Sequence, residues 1–210
     1  LDLTYHSSQI DTELQNFTLA GLNLTAQFDD LEMHRLYTTL TYGLLDRWEA
    51  YVKLGGVYIE QDDLGYSSGN LTYGWGTRVT ILQGDRVDWG AGLLMSWIEA
   101  DDSYRFNGNR ATLDFDAYEL QVAVGPTLKF SDWLRLYGGL LYYSLRGDFD
   151  ATVTGTLPGS PFFASGDIEE DSNLGAYVGG MLRLAGLDFT VETAILSDAW
   201  GVGGHIGWRF

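Results

Sequence analysis

Along most of its length the chain alternates between apolar and small or polar residues, and the alternation is plainest in its last twelve residues, AWGVGGHIGWRF, over 199–210. There the even positions are Trp200, Val202, Gly204, Ile206, Trp208 and Phe210, and the odd ones are Ala199, Gly201, Gly203, His205, Gly207 and Arg209. A side-chain period of two belongs to a β-strand with one apolar face. The pattern recurs in segment after segment, with Trp and Tyr near the segment ends, which is how strands read when their outer face meets lipid. No apolar run approaches the roughly 18 residues that a membrane helix needs. A chain that spans a bilayer with such strands has to close them into a barrel, because an open sheet edge leaves backbone groups unpaired in hydrocarbon.

Composition agrees with one all-β domain. The 210 residues include 27 Gly but only 3 Pro, aromatic residues make up 14%, and mean hydropathy is −0.08. With no cysteine, disulfides, thiolate chemistry and cysteine-ligated metals are excluded. The charge of −17, from 12 basic and 29 acidic residues, argues against a nucleic-acid partner, since phosphate binding needs a basic surface. Leu1 opens without a charged-then-apolar leader, as expected of a mature secreted chain.

Taken in order, residues 1–14 alternate weakly and are expected to form an N-terminal extension that adds a short strand or enters the lumen, with the barrel occupying 15–210. The first strand is expected over 15–28, with Leu22, Leu24, Ala26 and Phe28 on one face. Residues 34–45 place Leu36, Leu40, Tyr42 and Leu44 outward against Arg35, Tyr37, Thr39 and Thr41. Residues 48–59 place Trp48, Val52 and Leu54 outward against Glu49, Tyr51 and Lys53. Residues 70–82 set Leu71, Tyr73 and Trp75 against Thr72, Gly74, Gly76 and Arg78. Residues 87–98 carry Val87, Trp89, Ala91, Leu93, Met95 and Trp97 outward, aliphatic between aromatic ends, as a membrane strand between two interfacial girdles should. In 112–130 the outward set runs from Tyr118 to Phe130. Leu113 and Phe115 fall in the opposite phase, as a bulge near Ala117 or a strand end clear of the membrane would produce, and Pro126 counts against a regular ladder. Residues 134–147 are apolar on both faces; 173–184, 187–195 and the final stretch complete the set.

The expectation is a closed antiparallel up-and-down transmembrane β-barrel of ten strands, with eight as the alternative. Its connections alternate between short turns (46–47, 83–86, 131–133, 185–186) and longer ones (29–33, 60–69, 99–111, 148–171), with a brief fifth at 196–199. This is the usual asymmetry between the two sides of an outer membrane. The outer connections hold 16 of the 29 acidic residues and, of the basic ones, only Arg105 and Arg110, so the outer rim is strongly anionic.

The hairpin YTTLTYGLLDRWEAYVKLGG and the ending GWRF resemble the small Gram-negative outer-membrane β-barrel domain family. The resemblance implies integral residence in the outer membrane, contact with lipid and lipopolysaccharide, and reading of the terminal aromatics, Trp208 and Phe210, by the barrel-assembly machinery. The family holds structural, adhesive, channel-forming and enzymatic members, so it implies a fold and a location more than an activity.

Alternation assigns a charged lumen set: Glu49, Asp88, Glu119, Asp188 and Glu192 against Lys53, Arg78, Lys129, Arg135, Arg183 and Arg209, with His205 among them. Near balance suits a lumen crossed by ion pairs, because buried charges persist when paired; an open conduit with a charged constriction is the competing reading. Glu49 and Lys53 lie roughly 13 Å apart along their strand, so Glu49 is expected to pair with an arginine or lysine of a neighbouring strand, Arg35 and Arg78 being candidates. Trp48, Trp75, Trp89, Trp97, Trp200 and Trp208 are the expected interfacial aromatics. His34, beside Asp29, Asp30 and Glu32, resembles the rim constellation of omptin-type proteases, and His6-Ser7-Ser8 has the His-x-Ser spacing of lipid A deacylase barrels. Neither has a second matching motif. Clustered loop carboxylates are hard donors suited to divalent cations, although no EF-hand spacing accompanies them. The sequence therefore reads as a non-enzymatic outer-membrane barrel without cofactor or dedicated metal site. Its role would be structural or surface-interacting, with a plugged lumen or at most a narrow channel. The alternative is a rim hydrolase, and a soluble ligand-binding β-barrel comes third.

Overall fold

The computed structural model of the chain describes residues 2–19, 22–61, 65–66, 70–106, 108–155, 160–169, 173–197 and 199–208, with side chains at these positions apart from 10–31, 59–66, 102, 104, 106, 168–169 and 173. All regular structure among them is β: β1 (Asp2–Leu19), β2 (Leu22–Leu45), β3 (Trp48–Gln61), β4 (Gly65–Tyr66), β5 (Asn70–Gln83), β6 (Val87–Phe106), β7 (Asn109–Lys129), β8 (Leu134–Thr154), β9 (Phe162–Glu169), β10 (Asn173–Leu184), β11 (Leu187–Ile195) and β12 (Ala199–Trp208). Every pairing is antiparallel. β12 pairs with β1 and β8 with β10, so ten strands close a ring in the order β1, β2, β3, β5, β6, β7, β8, β10, β11, β12. The ring leaves no sheet edge, which is what a strand protein in hydrocarbon requires. Asp2 pairs with Gly207, so the first and last described residues lie on the side of the short turns.

The outward positions form the expected apolar belt. Leu40 is 58% exposed, Leu54 60%, Leu140 66% and Val178 63%, values that make no sense in water and are ordinary for a lipid-facing wall.

Three features differ from the sequence reading. Residues 2–9, read as part of an extension, are the lower half of β1, paired to both β12 and β2; residues 15–28 divide between the upper ends of β1 and β2. The weak signal there has a cause: the inward residues are Thr4, His6 and Ser8 and the outward face carries only Leu3 and Tyr5 before Ser7. Second, much of the expected outer loops is strand. β6 and β7 stay in register to Phe106–Asn109, β8 continues to Thr154, and β9 pairs with its outer half and with outer β1. These extensions are polar on their outward face, so no apolar stripe announces them. Third, β6 and β7 pair from Val87–Leu128 to Phe106–Asn109 without a register shift, so no bulge lies at Ala117. Phe115 keeps the strand's phase and points inward, packed against buried residues. Pro126 is accommodated because the β7–β8 ladder skips Gly125 and Pro126 while the β6–β7 ladder continues through them, which places the missing N–H where no partner is required.

Candidate functional site

The inner face of the ring is where this chain departs from a generic barrel, and it is built in layers. Toward the outer side lies an apolar layer, Met33, Val57, Ile98, Ala117 and Leu145, each buried, with Phe115 and Leu196 packed against it. Directly below, Arg35 of β2 donates from Nη1 to Glu119 Oε2 of β7, both side chains nearly inaccessible, at 4% and 1%. Gln121 Nε2 also donates to Glu119, and Ser96 Oγ donates to it at 3.4 Å. Arg35 Nη1 lies 3.5 Å from the Tyr37 hydroxyl. One ion pair with its hydrogen-bonding neighbours therefore crosses the bore beneath an apolar cap.

The next layer down is aromatic and cationic. Lys53 Nζ sits 5.2 Å from the centroid of the Tyr37 ring and 5.7 Å from that of Tyr51, and Arg78 lies 5.1 Å from Tyr51; such cation–π contacts stabilise a desolvated cation by about 0.5–2 kcal/mol. Tyr51 pairs directly with Gly76, and a Cβ there would collide with the Tyr51 ring. Gly76 thus lets the tyrosine lie flat across the neighbouring strand and keep its hydroxyl inside the bore. Tyr137 does the same over Gly179, its partner on β10.

Toward the short turns the pairs become more exposed. Arg78 Nε meets Glu49 Oε1 at 2.8 Å, Lys129 Nζ meets Asp88 Oδ1 at 2.8 Å, and Arg183 grips Asp188 with Nε at 2.7 Å and Nη2 at 3.2 Å. His205 Nε2 is 3.4 Å from Thr190 Oγ1. Glu192 faces Tyr137 within hydrogen-bonding reach, and Arg135 is half-buried opposite Met181. Most of the charged lumen set thus points where alternation put it, and Glu49 finds Arg78 on the adjacent strand. The Glu49–Arg78 pair is not buried, however: its side chains are 42% and 48% exposed. Arg209 and Phe210 lie outside the described residues. The sequence reading placed Arg35 on the inner face yet left it out of the charged set, and did not orient His6; the strand phase of β1 and β2 was the signal for both.

Of the tryptophans, Trp97 stacks on Tyr73 at 5.6 Å at one end of the apolar belt, and Trp200 donates to Gln9 on the same side. Trp48, Trp89 and Trp208 stand at the short-turn end. Trp75 lies mid-strand between Val52 and Met95.

Above the belt the outer wall is acidic in rows. Glu99, Asp116, Asp148 and Asp167 are directly paired in succession across β6, β7, β8 and β9, and Asp101, Asp114 and Asp150 form a second row one step further out. The lower row, with Arg146, Trp97 and Tyr118, lines an open groove of about 560 Å³. Like charges directly opposite each other destabilise a sheet. No group of three or more potential ligands is gathered in a metal-holding arrangement among the described residues.

His34 faces outward on β2. The Tyr5 hydroxyl is 3.1 Å from its Nδ1 with the rings stacked, and Glu32 is 3.7 Å from its Nε2. Asp29 and Asp30 lie outside the residues with described side chains. His6 and Ser8, by contrast, face the bore.

No protein-family model and no curated protein matches the sequence. In three dimensions the chain is similar to the crystal structure of the outer membrane protein OprG from Pseudomonas aeruginosa, over 99% of this chain and 96% of that one, with a TM-score of 0.52 and 12% identity. It is similar also to the outer membrane protease OmpT from Escherichia coli, over 98% and 92%, with a TM-score of 0.51 and 8% identity. At these identities the likeness is one of fold: the chain closes into an antiparallel β-barrel of the kind found in outer-membrane proteins.

Proposed function

We propose that this barrel is a non-catalytic outer-membrane protein with a structural or surface-interacting role, its lumen closed to ions. The observation that supports it is the Arg35–Glu119 pair lying under the Met33, Ile98, Ala117 and Leu145 layer: a hydrated ion would have to displace both a desolvated ion pair and an apolar cap. The apolar belt fits contact with lipid, the acidic outer wall fits lipopolysaccharide phosphates where divalent cations bridge the two sets of anions, and Trp208 with Phe210 fits recognition by the assembly machinery. A rim hydrolase gains little from the geometry, since His34 is directed outward and bonded to Tyr5.

Reconstitution into planar bilayers tests the reading. Conductance near zero is expected at low voltage, together with no peptidase or esterase activity for His34→Ala to remove. Large, steady single-channel conductance would overturn the closed lumen. Turnover of a peptide or ester lost specifically in His34→Ala would overturn the non-catalytic assignment.

A further inference from the structure

Beside the Arg35–Glu119 pair, within the bore, lies a partly open pocket of about 110 Å³, bounded by β1, β2, β7, β8, β10, β11 and β12. At roughly 30 Å³ per water it has room for about four waters or one small organic molecule. Three polar atoms of its lining have no hydrogen-bond partner: His6 Nδ1, Ser8 Oγ and Arg35 Nε. Ser8 is 8% exposed and Arg35 3%, so bulk water does not serve them. Leaving each of them unsatisfied carries a desolvation penalty that a guest able to bond them would relieve.

The strand geometry aims these atoms. A Cβ at Gly201 would lie 3.1 Å from His6 Cε1 and Nε2, and one at Gly203 3.2 Å from Cδ2. The glycines of β12 thus receive the Nε2 edge of the ring and leave Nδ1 on the other side. Arg35 uses Nη1 on Glu119 and lies against Met33 with Nη2, which leaves Nε–H as its free donor.

The remaining lining sets the class of guest. Arg35 and Glu119 neutralise each other, and Glu192 brings one further carboxylate. An anion would meet Glu192 and a cation would meet Arg35, each in a site of low polarisability. The lining also includes the apolar side chains of Ala123, Ala194 and Leu196, which offer water no partners.

We propose that this cavity is a binding site for a small neutral solute that accepts and donates hydrogen bonds at one end and is apolar at the other, a primary amide being the simplest member. Its oxygen accepts from Arg35 Nε–H and the Ser8 hydroxyl, its N–H donates to His6 Nδ1 or Glu192, and its alkyl group lies against Ala123 and Ala194. Occupancy does not require conduction, so the inference stands apart from the closed-lumen reading.

The test is titration of acetamide, with acetate and methylammonium as charged probes of similar size, into the intact ¹⁵N-labelled barrel in lipid nanodiscs. The readouts are the Arg35 Nε–H and Gln121 side-chain amide resonances. Saturable shifts with acetamide, and affinities at least about tenfold weaker for both charged probes, are expected from the cost of an unpaired charge in the site. Ala123→Leu fills the cavity and should abolish the shifts. Ser8→Ala, which adds no volume and decides the matter if Ala123→Leu does not fold, should weaken binding about fivefold by removing one hydrogen bond. Non-saturating shifts, which mean water is the only occupant, would overturn the proposal. So would acetate or methylammonium binding as tightly as acetamide, or acetamide binding unchanged in the variants.

Discussion

Arg35 and Glu119 come from β2 and β7, strands four steps apart around a ten-strand ring, and meet across the bore with side chains 4% and 1% exposed. They are the cross-brace of this barrel rather than a contact within its wall. A buried pair of this kind contributes little over an apolar replacement, but losing one partner strands the other.

Glu119→Gln or Arg35→Gln alone is therefore expected to cost about 3–5 kcal/mol in lipid. Arg35→Met combined with Glu119→Leu should recover most of that loss, because no charge is then left buried. Equilibrium unfolding in urea, followed by the gel shift between folded and boiled protein, reads the three variants. Single changes costing under about 1 kcal/mol would mean that water reaches the pair.

Glu49 and Arg78 form the same type of bond at 2.8 Å, yet both are more than two-fifths exposed. Screening by solvent reduces such a pair to about 0–1 kcal/mol, so Glu49→Gln and Arg78→Gln should unfold close to the parent in the same assay. The contrast with Glu119→Gln measures how much the burial of the pair, rather than its bond length, decides its contribution.

How much of this was legible in the sequence varies along the chain for physical reasons. Within the bilayer the outward face must be apolar, so alternation reported phase, partners and the inward direction of Glu49, Lys53 and Glu119. Outside it neither face of a strand needs to be apolar. The run from Glu99 to Phe106 therefore looked like loop, although Asn107-Gly108 is a hairpin signal and Gly108 has φ +81°. The cavity was invisible for a different reason: His6, Ser8, Arg35 and Gln121 come from three strands, and their convergence follows from ring closure and strand tilt, neither of which a linear pattern contains. Where β8 is apolar on both faces, only the structure chose; Leu141, Tyr143 and Leu145 went inward, the last two joining the apolar cluster of the cap and Leu141 lining the pocket below it.

At the short-turn end, β10 and β11 are joined by Ala185 and Gly186, with φ of +52° and +83°. Two consecutive left-handed residues define the turn that matches strand twist, and this turn favours Asn or Asp followed by Gly. Ala185 carries the cost of a Cβ in the left-handed region without the local hydrogen bonds of Asn. Ala185→Asn is expected to stabilise the barrel by about 0.5–1 kcal/mol and Ala185→Val to destabilise it by more, both measured as shifts in the urea midpoint. A neutral or destabilising Ala185→Asn would show that the turn adopts another conformation.

The acidic rows of the outer wall make the β6–β7 extension sensitive to pH. Partial loss of solvent contact, a hydrogen bond with Asp101 and the charges of Asp101, Asp150 and Asp116 hold the Asp114 carboxyl above the usual aspartate range. A carboxyl whose pKa is higher folded than unfolded binds its proton more tightly in the folded hairpin. Its contribution is fullest below the unfolded value of about 3.9 and is lost as pH rises through the folded one. Amide exchange over residues 99–116, corrected for intrinsic rates, should therefore report greater protection near pH 3 than near pH 6, a window about the unfolded aspartate value. The protection should not fall in the same way for β11 and β12, whose inner acids are not stacked in rows. Asp114→Asn should flatten the dependence and raise protection at the upper end, since the substitution removes a charge that sits directly between Asp101 and Asp150. Protection that instead rises with pH in the parent protein would mean that repulsion within the rows does not govern opening of this hairpin.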